Sequence, residues 1–502
     1  MSKLRGYARK HGPLTVVLIV AAFFRFYRLT ILPPGLYADE AVIGNCAYEF
    51  LHTHVLQPFY PVNFGTSGLF VFLQSLPLAL FGNTAWAMRV MPAGLGTLTV
   101  WGIYLAGKEL ISRRVGLLAA FFLATSYWHI NLSRLGFPAV LVPLFIVFGV
   151  YWLARMRRTG GYVSAVFGGL MFGLGMNSYF AFLSAPLVIV PFLVGGFKKY
   201  WRQWLVFIGA FMLTVAPLAV YSFFHFGLWA KRINYVAVWR TSQPILFFAD
   251  SLIRTLTMFN IAGDPNPRQN LAGQPMLGFV IGLLFLTGVV LLMRRREKLF
   301  SRILLIWLAA LLLPAIFSSG SPNALRTAGA LPAAMLIAAF GADDLWLAGK
   351  TFFPTRLRSA LIFTAAVILV VLPLLVGYDY FFRFARSPLT APAFYGYIWQ
   401  IADFIKSTPP DVHLYIIDNV RRSYSSGTEV ANQSIVYALQ NEEIASRITY
   451  LSVGQTSDLP SGEERAQVIP LDPTPPILYY LGSSLLNFKQ TTSNGIIIFT
   501  NY

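Results

Sequence analysis

The sequence predicts an α-helical polytopic membrane protein with about eleven transmembrane helices and a small C-terminal extracytoplasmic α/β domain. Three observations lead there. The 502 residues are 56% hydrophobic and only 12% charged, with a mean hydropathy of +0.61, which is too apolar for an ordinary soluble enzyme. Stretches such as "FIGAFMLTVAPLAVYSFF", "MLGFVIGLLFLTGVVLLM" and "ALIFTAAVILVVLPLLVGY" are long enough to cross a bilayer's hydrocarbon core. Half of the twenty acidic residues fall after residue 400, from Asp403 to Asp472, marking a water-exposed region of different composition.

The first element, in "MSKLRGYARKHGPLTVVLIV", has the charged and apolar parts of a signal peptide. No small-residue cleavage pattern precedes Asp39, so it reads as a retained first helix. Six basic clusters then punctuate the chain: Lys3/Arg5/Arg9/Lys10, Lys108/Arg113/Arg114, Arg155/Arg157/Arg158, Lys198/Lys199/Arg202, Arg294/Arg295/Arg296/Lys298/Arg302 and Lys350/Arg356/Arg358. Basic residues flanking membrane helices stay in the cytoplasm. An even number of crossings should therefore separate successive clusters, and one helical hairpin fits every interval but the first.

In that first interval "LFVFLQSLPLALFG" is short and carries Pro77, so it is placed on the outer surface. Counting it as a span gives twelve crossings and turns several basic clusters outward. The preferred threading puts the N-terminus in the cytoplasm. Residues 32–87, 129–138, about 176–180, 227–275, 318–326 and everything after about 380 then face outward. Residues 1–380 form the membrane domain, and 381–502 the outer domain, where "VHLYIID", "RITYLSV" and "GIIIFTNY" read as strands and "FYGYIWQIADFIKS" and "EVANQSIVYALQ" as helices.

The formal charge of +19 does not indicate nucleic acid, because the basic residues lie in short clusters between apolar runs. The single cysteine, Cys46, excludes an intrachain disulfide and reads as a small packed residue. The six histidines are scattered. There is no Walker loop, no HExxH and no nucleotide-binding glycine fingerprint. No cofactor and no metal site is expected, divalent-metal dependence stays open, and the energy for bond-making must arrive with the substrate.

Charge near hydrocarbon is costly and usually has a task. Asp39 and Glu40 stand side by side in "LPPGLYADEAVIGN". Asp39 can cap a short helix whose Ile43, Cys46, Ala47 and Phe50 lie on the membrane. Compatibly, one carboxylate can act as a general base while its neighbour supports it. Adjacent residues on a helix point about 100° apart, so only one can face the reacting atom. Arg25, Arg28, Arg89, Arg134 and Arg326 sit at the same expected depth, either snorkelling or forming a phosphate clamp. Arg326 is favoured because it is expected to open a helix whose N-terminus attracts anions. The loop "MFNIAGDPNPRQNLAGQPML", with Asp264, Arg268 and Asn270, is rich in turn formers and is expected to close over a substrate.

"LPPGLYADEAVIGNCAYEF", "LALFGNTAWAMRVMPAGLGTLTVWGIYLAGKEL", "WHINLSRLGFPAVLVPLF" and "SPNALRTAGALPAAMLIAAF" together resemble the bacterial relatives of the protein O-mannosyltransferases and of the aminoarabinose transferase of lipid A. These are membrane glycosyltransferases of the type C fold, and the resemblance covers roughly residues 10 to 380. It implies transfer of a sugar from a polyprenyl-phosphate carrier to an acceptor hydroxyl, with inversion, on the outer side of the plasma membrane. It maps the base or acceptor-orienting group to Asp39, its companion to Glu40, and the holders of the donor phosphate to Arg134 and Arg326, with Arg89 in the "FG....A.R" stretch. The chain has "NFGTSG" and "GMNSYF" where lipid A transferases carry lysines, which argues against lipid A as acceptor. The expected partners are thus a polyprenyl-phosphate sugar, a protein, lipid or glycan acceptor, and membrane lipids. The competing reading is a transporter or assembly partner for lipid-linked glycans without transferase activity. Carriers place their ionisable groups near mid-membrane, whereas here they lie at the helix ends.

Overall fold

The computed structural model describes residues 2–62, 65–194, 196–227, 237–240, 242–419, 432–440, 442–459 and 465–502. Residues 228–236 of the expected outer loop and 429–431 of an expected helix lie outside the described residues. The chain is a multi-pass membrane protein that divides into two compact units: Met1–Leu29 with Ser67–Phe70 and Arg89–Arg386, and Thr30–Thr66 with Val71–Met88 and Ser387–Tyr502.

The first unit is helical. Among the described residues 6 helices are long and apolar enough to cross a membrane: Ala87–Leu110, Pro138–Thr159, Phe197–Phe224, Leu299–Ile316, Leu331–Phe352 and Thr355–Phe384. Shorter apolar helices, including Gly12–Phe26, Tyr162–Met176, Phe180–Val194 and Phe279–Arg294, stand beside them. Helix Pro138–Thr159 is 78% buried over its apolar window, whereas Thr355–Phe384 is 0% buried. The first is a central helix, and the second presents Leu369, Val370 and Leu374 to surroundings that must be lipid, since so much exposed apolar surface is untenable in water. Helix Gly68–Phe81, which from Val71 on belongs to the second unit, keeps Pro77 inside; at 1.5 Å per residue its 14 residues reach about 21 Å, short of a hydrocarbon core.

Glycine permits close helix contact. A Cβ on Gly341 would lie 2.4 Å from the Leu284 carbonyl oxygen and 2.9 Å from Gly288 N. Only backbones without side chains approach that far, and such small-residue contacts are the main attraction between helices in lipid.

Side chains gather the basic clusters at one end of this unit. Arg114 Nε lies 3.0 Å from Asp343, and Arg295 Nη1 2.8 Å from Asp344. Arg158 pairs with Glu109 through Nε and, at 3.1 Å, Nη2. Arg157 Nη1 donates to the Phe192 carbonyl at 2.9 Å, and Tyr200 Oη donates to the Arg157 carbonyl at 2.7 Å. Helix Leu331–Phe352, which carries Asp343 and Asp344, continues to Lys350. The clusters at 108–114, 155–158, 198–202, 294–302 and 350 thus share one end, the arrangement that an even number of intervening crossings produces.

The second unit contains a five-stranded sheet in the order Ile448–Ser452, His413–Asp418, Ala466–Pro470, Ile496–Thr500, Lys489–Ser493. The first three strands are parallel and the last two antiparallel. Alternation in "HLYIID" sends Leu414 and Ile416 to one face, with Ile398, Ile401 and Ile405 of helix Gly396–Lys406. Tyr415 and Ile417 go to the other face, with Leu481, Leu485 and Phe499. Period two on a two-sided sheet makes both faces core. Strands Ala466–Pro470 and Lys489–Ser493, and helix Pro475–Ser484, add to the elements expected from the sequence.

Candidate functional site: an acidic helix start and an arginine-rich helix end

The acidic pair belongs to the second unit. Helix Ala38–Thr53 begins after Tyr37, so Asp39 is its second residue and not its cap. Glu40 takes the capping role: it is 2% exposed, and its Oε2 accepts from the Tyr37 backbone N–H at 3.4 Å, the reciprocal half of a capping box. Asp39 is half-buried. Both carboxylates occupy the first turn, where the helix dipole stabilises negative charge.

The apolar stripe expected to rest on the membrane is instead internal. Ile43, Cys46 and Ala47 are buried, and the helix packs against helix Gln433–Leu439. Asn45 and Gln433 are joined by an Nδ2–H to Oε1 bond of 2.9 Å, Gln440 Nε2 donates to Asn45 Oδ1 at 2.7 Å, and Ser434 Oγ donates to the Leu36 carbonyl at 2.8 Å. A Cβ at Gly44 would fall 2.4 Å from the Tyr437 ring, so glycine is what lets these two helices meet. Burial pushes the Cys46 thiol up to about 12, with Glu49 adding to the shift. That thiol is inert.

The arginines belong to the first unit, at the end away from the basic clusters. Arg25 ends helix Ser2–Phe26 fully buried. Its Nη1 donates to the Ala21 and Ala124 carbonyls at 2.9 and 3.3 Å, its Nη2 to the Leu123 carbonyl at 3.3 Å, and it lies 2.5 Å from His129 Nδ1. A guanidinium only donates, so Nδ1 accepts and the neutral imidazole carries its proton on Nε2. Arg134, also 0% exposed, donates through Nη1 to the Phe24 and Arg25 carbonyls at 2.9 and 3.0 Å. Its guanidinium lies 5.1 Å from the Tyr380 ring centroid and 5.6 Å from that of Phe381. Arg89 is 1% exposed, near enough to Arg134 for their charges to interact. Neither Arg25 nor Arg134 snorkels. Arg134 bonds terminal carbonyls of the first helix, and Arg25 bonds those that end helix Arg113–Ala124.

Arg326 is different. It is half-buried, and its Nη1 donates to Ser318 Oγ at 2.6 Å and the Ser319 carbonyl at 2.5 Å. Its Nε and Nη2 have no partner among the described residues. Arg326 does not open a helix: helix Leu331–Phe352 starts five residues later, so the dipole argument fails by more than a turn. Instead Arg326 sits in a turn stabilised by Asn323 Oδ1, which accepts from its backbone N–H at 3.0 Å.

The loop at 258–277 is pinned to that turn. Asp264, 2% exposed, accepts from Ala324 N at 2.7 Å through Oδ2 and from Asn266 N at 2.8 Å through Oδ1. Trp128 Nε1 donates to the Ala324 carbonyl at 3.1 Å, so the Ala324 residue is held on both sides. Burial pushes the Asp264 carboxyl above its usual range, opposed by those two N–H bonds and by Arg326 and Arg268. Asn270 Nδ2 donates to the Asp264 and Gln274 carbonyls at 3.2 and 2.7 Å, and Asn131 Nδ2 donates to the Arg268 carbonyl at 2.6 Å. The loop expected to close over a substrate is therefore a braced platform. Its Gly263 approaches the Gln274 carbonyl so closely that a Cβ would lie 2.2 Å away.

The structure thus brings Asp264, Arg268, Asn270 and Arg326 together, and separately Arg89 and Arg134. Sequence reasoning missed Arg134's aromatic partner Tyr380, in the π-helical turn Asp379–Phe384, and also His129, Asn131 and Ser318. The run "YDYFFRF" after an apolar span was the available signal for Tyr380. Among the described residues no group of three or more His, Cys, Asp or Glu is placed to hold a metal ion.

Residues 68–224 match the family model for dolichyl-phosphate-mannose-protein mannosyltransferase. The fold is similar to that of ArnT from Cupriavidus metallidurans bound to undecaprenyl phosphate, with a TM-score of 0.64, 13% identity and 98% of each chain covered. It is similar also to the archaeal oligosaccharyltransferase AglB from Archaeoglobus fulgidus in complex with an inhibitory peptide and a dolichol-phosphate, with a TM-score of 0.52, 13% identity, and 99% of this chain and 75% of that one covered. No curated protein matches the sequence. The chain has the type C glycosyltransferase fold.

Proposed function

We propose that the protein is an inverting glycosyltransferase that moves a sugar from a polyprenyl-phosphate carrier to an acceptor hydroxyl on the outer side of the plasma membrane, with the N-terminus cytoplasmic and residues 381–502 outside. The fold match supports this reading, as does the family model over residues 68–224, since the matched structures hold undecaprenyl phosphate and a dolichol-phosphate. The single observation that carries it is Arg326, a half-buried guanidinium with two nitrogens unengaged among the described residues, beside a braced turn. A planar donor fork of this kind suits phosphate oxygens.

In this reading Asp39 takes the proton of the attacking hydroxyl as its oxygen bonds to the sugar's anomeric carbon, and the bond to the phosphate oxygen breaks on the opposite face. Arg326 stabilises the charge that grows on the departing lipid phosphate. Glu40 sets the start of the helix that carries Asp39. Arg134 bonds the end of the first helix with Arg89 near it, and Arg268 and Asn270 belong to the braced platform beside the turn that carries Arg326.

Incubation of the purified protein with a panel of polyprenyl-phosphate sugars, followed by mass analysis, tests the proposal. Release of free polyprenyl phosphate from at least one donor is expected. Translocation of a labelled donor without bond cleavage would favour the transporter reading instead.

A further inference from the structure

At the opposite end of the first unit, a cavity of about 240 Å³ is lined by Leu105, Lys108, Glu109, Tyr151, Arg155 and Arg158. Lys108 is in the last turn of helix Ala87–Leu110, and Arg155 and Arg158 close helix Leu141–Thr159. Both helices are candidate membrane spans, so the cavity lies where two spans reach the polar edge of the bilayer, the depth of lipid phosphates.

The charges inside it are unbalanced. Glu109 is neutralised by Arg158, which contacts both of its oxygens. Lys108 and Arg155 have no carboxylate partner among the described residues. Lys108 lies 6.0 Å from the Tyr104 ring centroid, and Arg155 Nη1 donates to Tyr151 Oη at 3.1 Å. Because Tyr151 Oη accepts there, its own proton is left to donate. A lysine, an arginine and a phenol therefore converge with donors to spare and a net charge of two. That donor set suits a phosphate oxyanion, and basic pockets between spans are suited to anionic lipid headgroups.

We propose that this cavity binds a phosphate group, carried either by an anionic phospholipid or by a soluble phosphate. Lys108 and Arg155 are its ligands, and Tyr151 is a third donor. The site is separate from Asp39 and Arg326 and does not depend on the reading given to them.

The test titrates the full-length protein with mixed micelles containing phosphatidylglycerol, with mixed micelles containing phosphatidylcholine, and with inorganic phosphate, reading the rise in melting temperature. The wild type is compared with Lys108→Ala/Arg155→Ala and with Arg296→Ala/Lys298→Ala, which removes equal charge from another basic cluster. Wild type and control should be stabilised alike, and the cavity variant should respond with apparent affinity weakened about tenfold or more, as loss of charge-assisted bonds implies. A response to phosphatidylglycerol alone assigns a lipid, and an equal response to inorganic phosphate assigns a soluble ligand. Equal responses from the cavity variant and the wild type, or no response to either anion, overturn the proposal. Should the double variant fail to fold, Lys108→Gln alone gives the same comparison.

Discussion

Arginines at the two ends of the helical unit solve opposite problems. At the end of the basic clusters they are exposed and meet carboxylates: Arg114 with Asp343, Arg295 with Asp344, Arg158 with Glu109. At the other end Arg25 and Arg134 are buried and meet backbone carbonyls. Exposed ion pairs are worth little to stability but their charge fixes threading. Buried guanidiniums bonded to helix-terminal carbonyls add no screening charge, yet they close a helix end that water cannot reach. Arg326 belongs to neither class, since among the described residues it is anchored by one nitrogen only, which suits the phosphate-binding role proposed for it.

The largest effect expected from this contrast is on Arg134→Ala. It removes two charge-assisted bonds and an aromatic stack, so the melting transition should fall by the equivalent of about 3 kcal/mol or more, measured by thermal unfolding in detergent. Arg326→Ala should leave that transition almost unchanged while slowing sugar transfer about a hundredfold, in the range for loss of one preorganised charge donor. If instead it unfolds the protein, Arg326 is scaffold like Arg134.

A subtler effect belongs to Asp264. Burial raises its folded pKa above the usual 3.8, so the folded state binds its proton more tightly than the unfolded state. The stability linked to that proton is fully present below pH 3.8 and is lost as pH rises to the raised folded value. Relative to Asp264→Asn, which cannot titrate, the wild type should lose melting temperature across that window as pH increases. The smallest effect is expected at the basic end. Arg295→Ala breaks a pair whose side chains are 42% and 24% exposed, and stability should change by about 1 kcal/mol or less.

How much of this was legible in the sequence follows the same division. Long apolar runs and basic clusters are local signals, and they predicted the membrane fold and the clusters that meet through Arg114, Arg158 and Arg295. The alternation in "VHLYIID" predicted the central strand, whereas Lys489–Ser493 is exposed along most of its length and has no apolar face to read. Whether an arginine snorkels or bonds a carbonyl depends on a partner distant in the chain. Arg134 and Phe24 are 110 residues apart, and nothing near either residue announces the bond. The cap expected at Asp39 lies two residues earlier, at Tyr37, and Glu40 as the third helical residue bonds back to it, because the helix begins before the acidic pair. The platform's turn formers were visible in "GDPNPRQNLAGQ", but its bracing through Ala324 and Trp128 was not, since a turn's composition says nothing about what holds it.

The central claim is that the two adjacent carboxylates divide their work, Glu40 holding the helix start and Asp39 performing proton transfer. Single-turnover release of polyprenyl phosphate by Asp39→Asn, measured beside the wild type with a donor that the wild type cleaves, tests it most directly. The account predicts release slowed about a hundredfold or more with an unchanged melting transition. Release at the wild-type rate by a folded Asp39→Asn protein would contradict it.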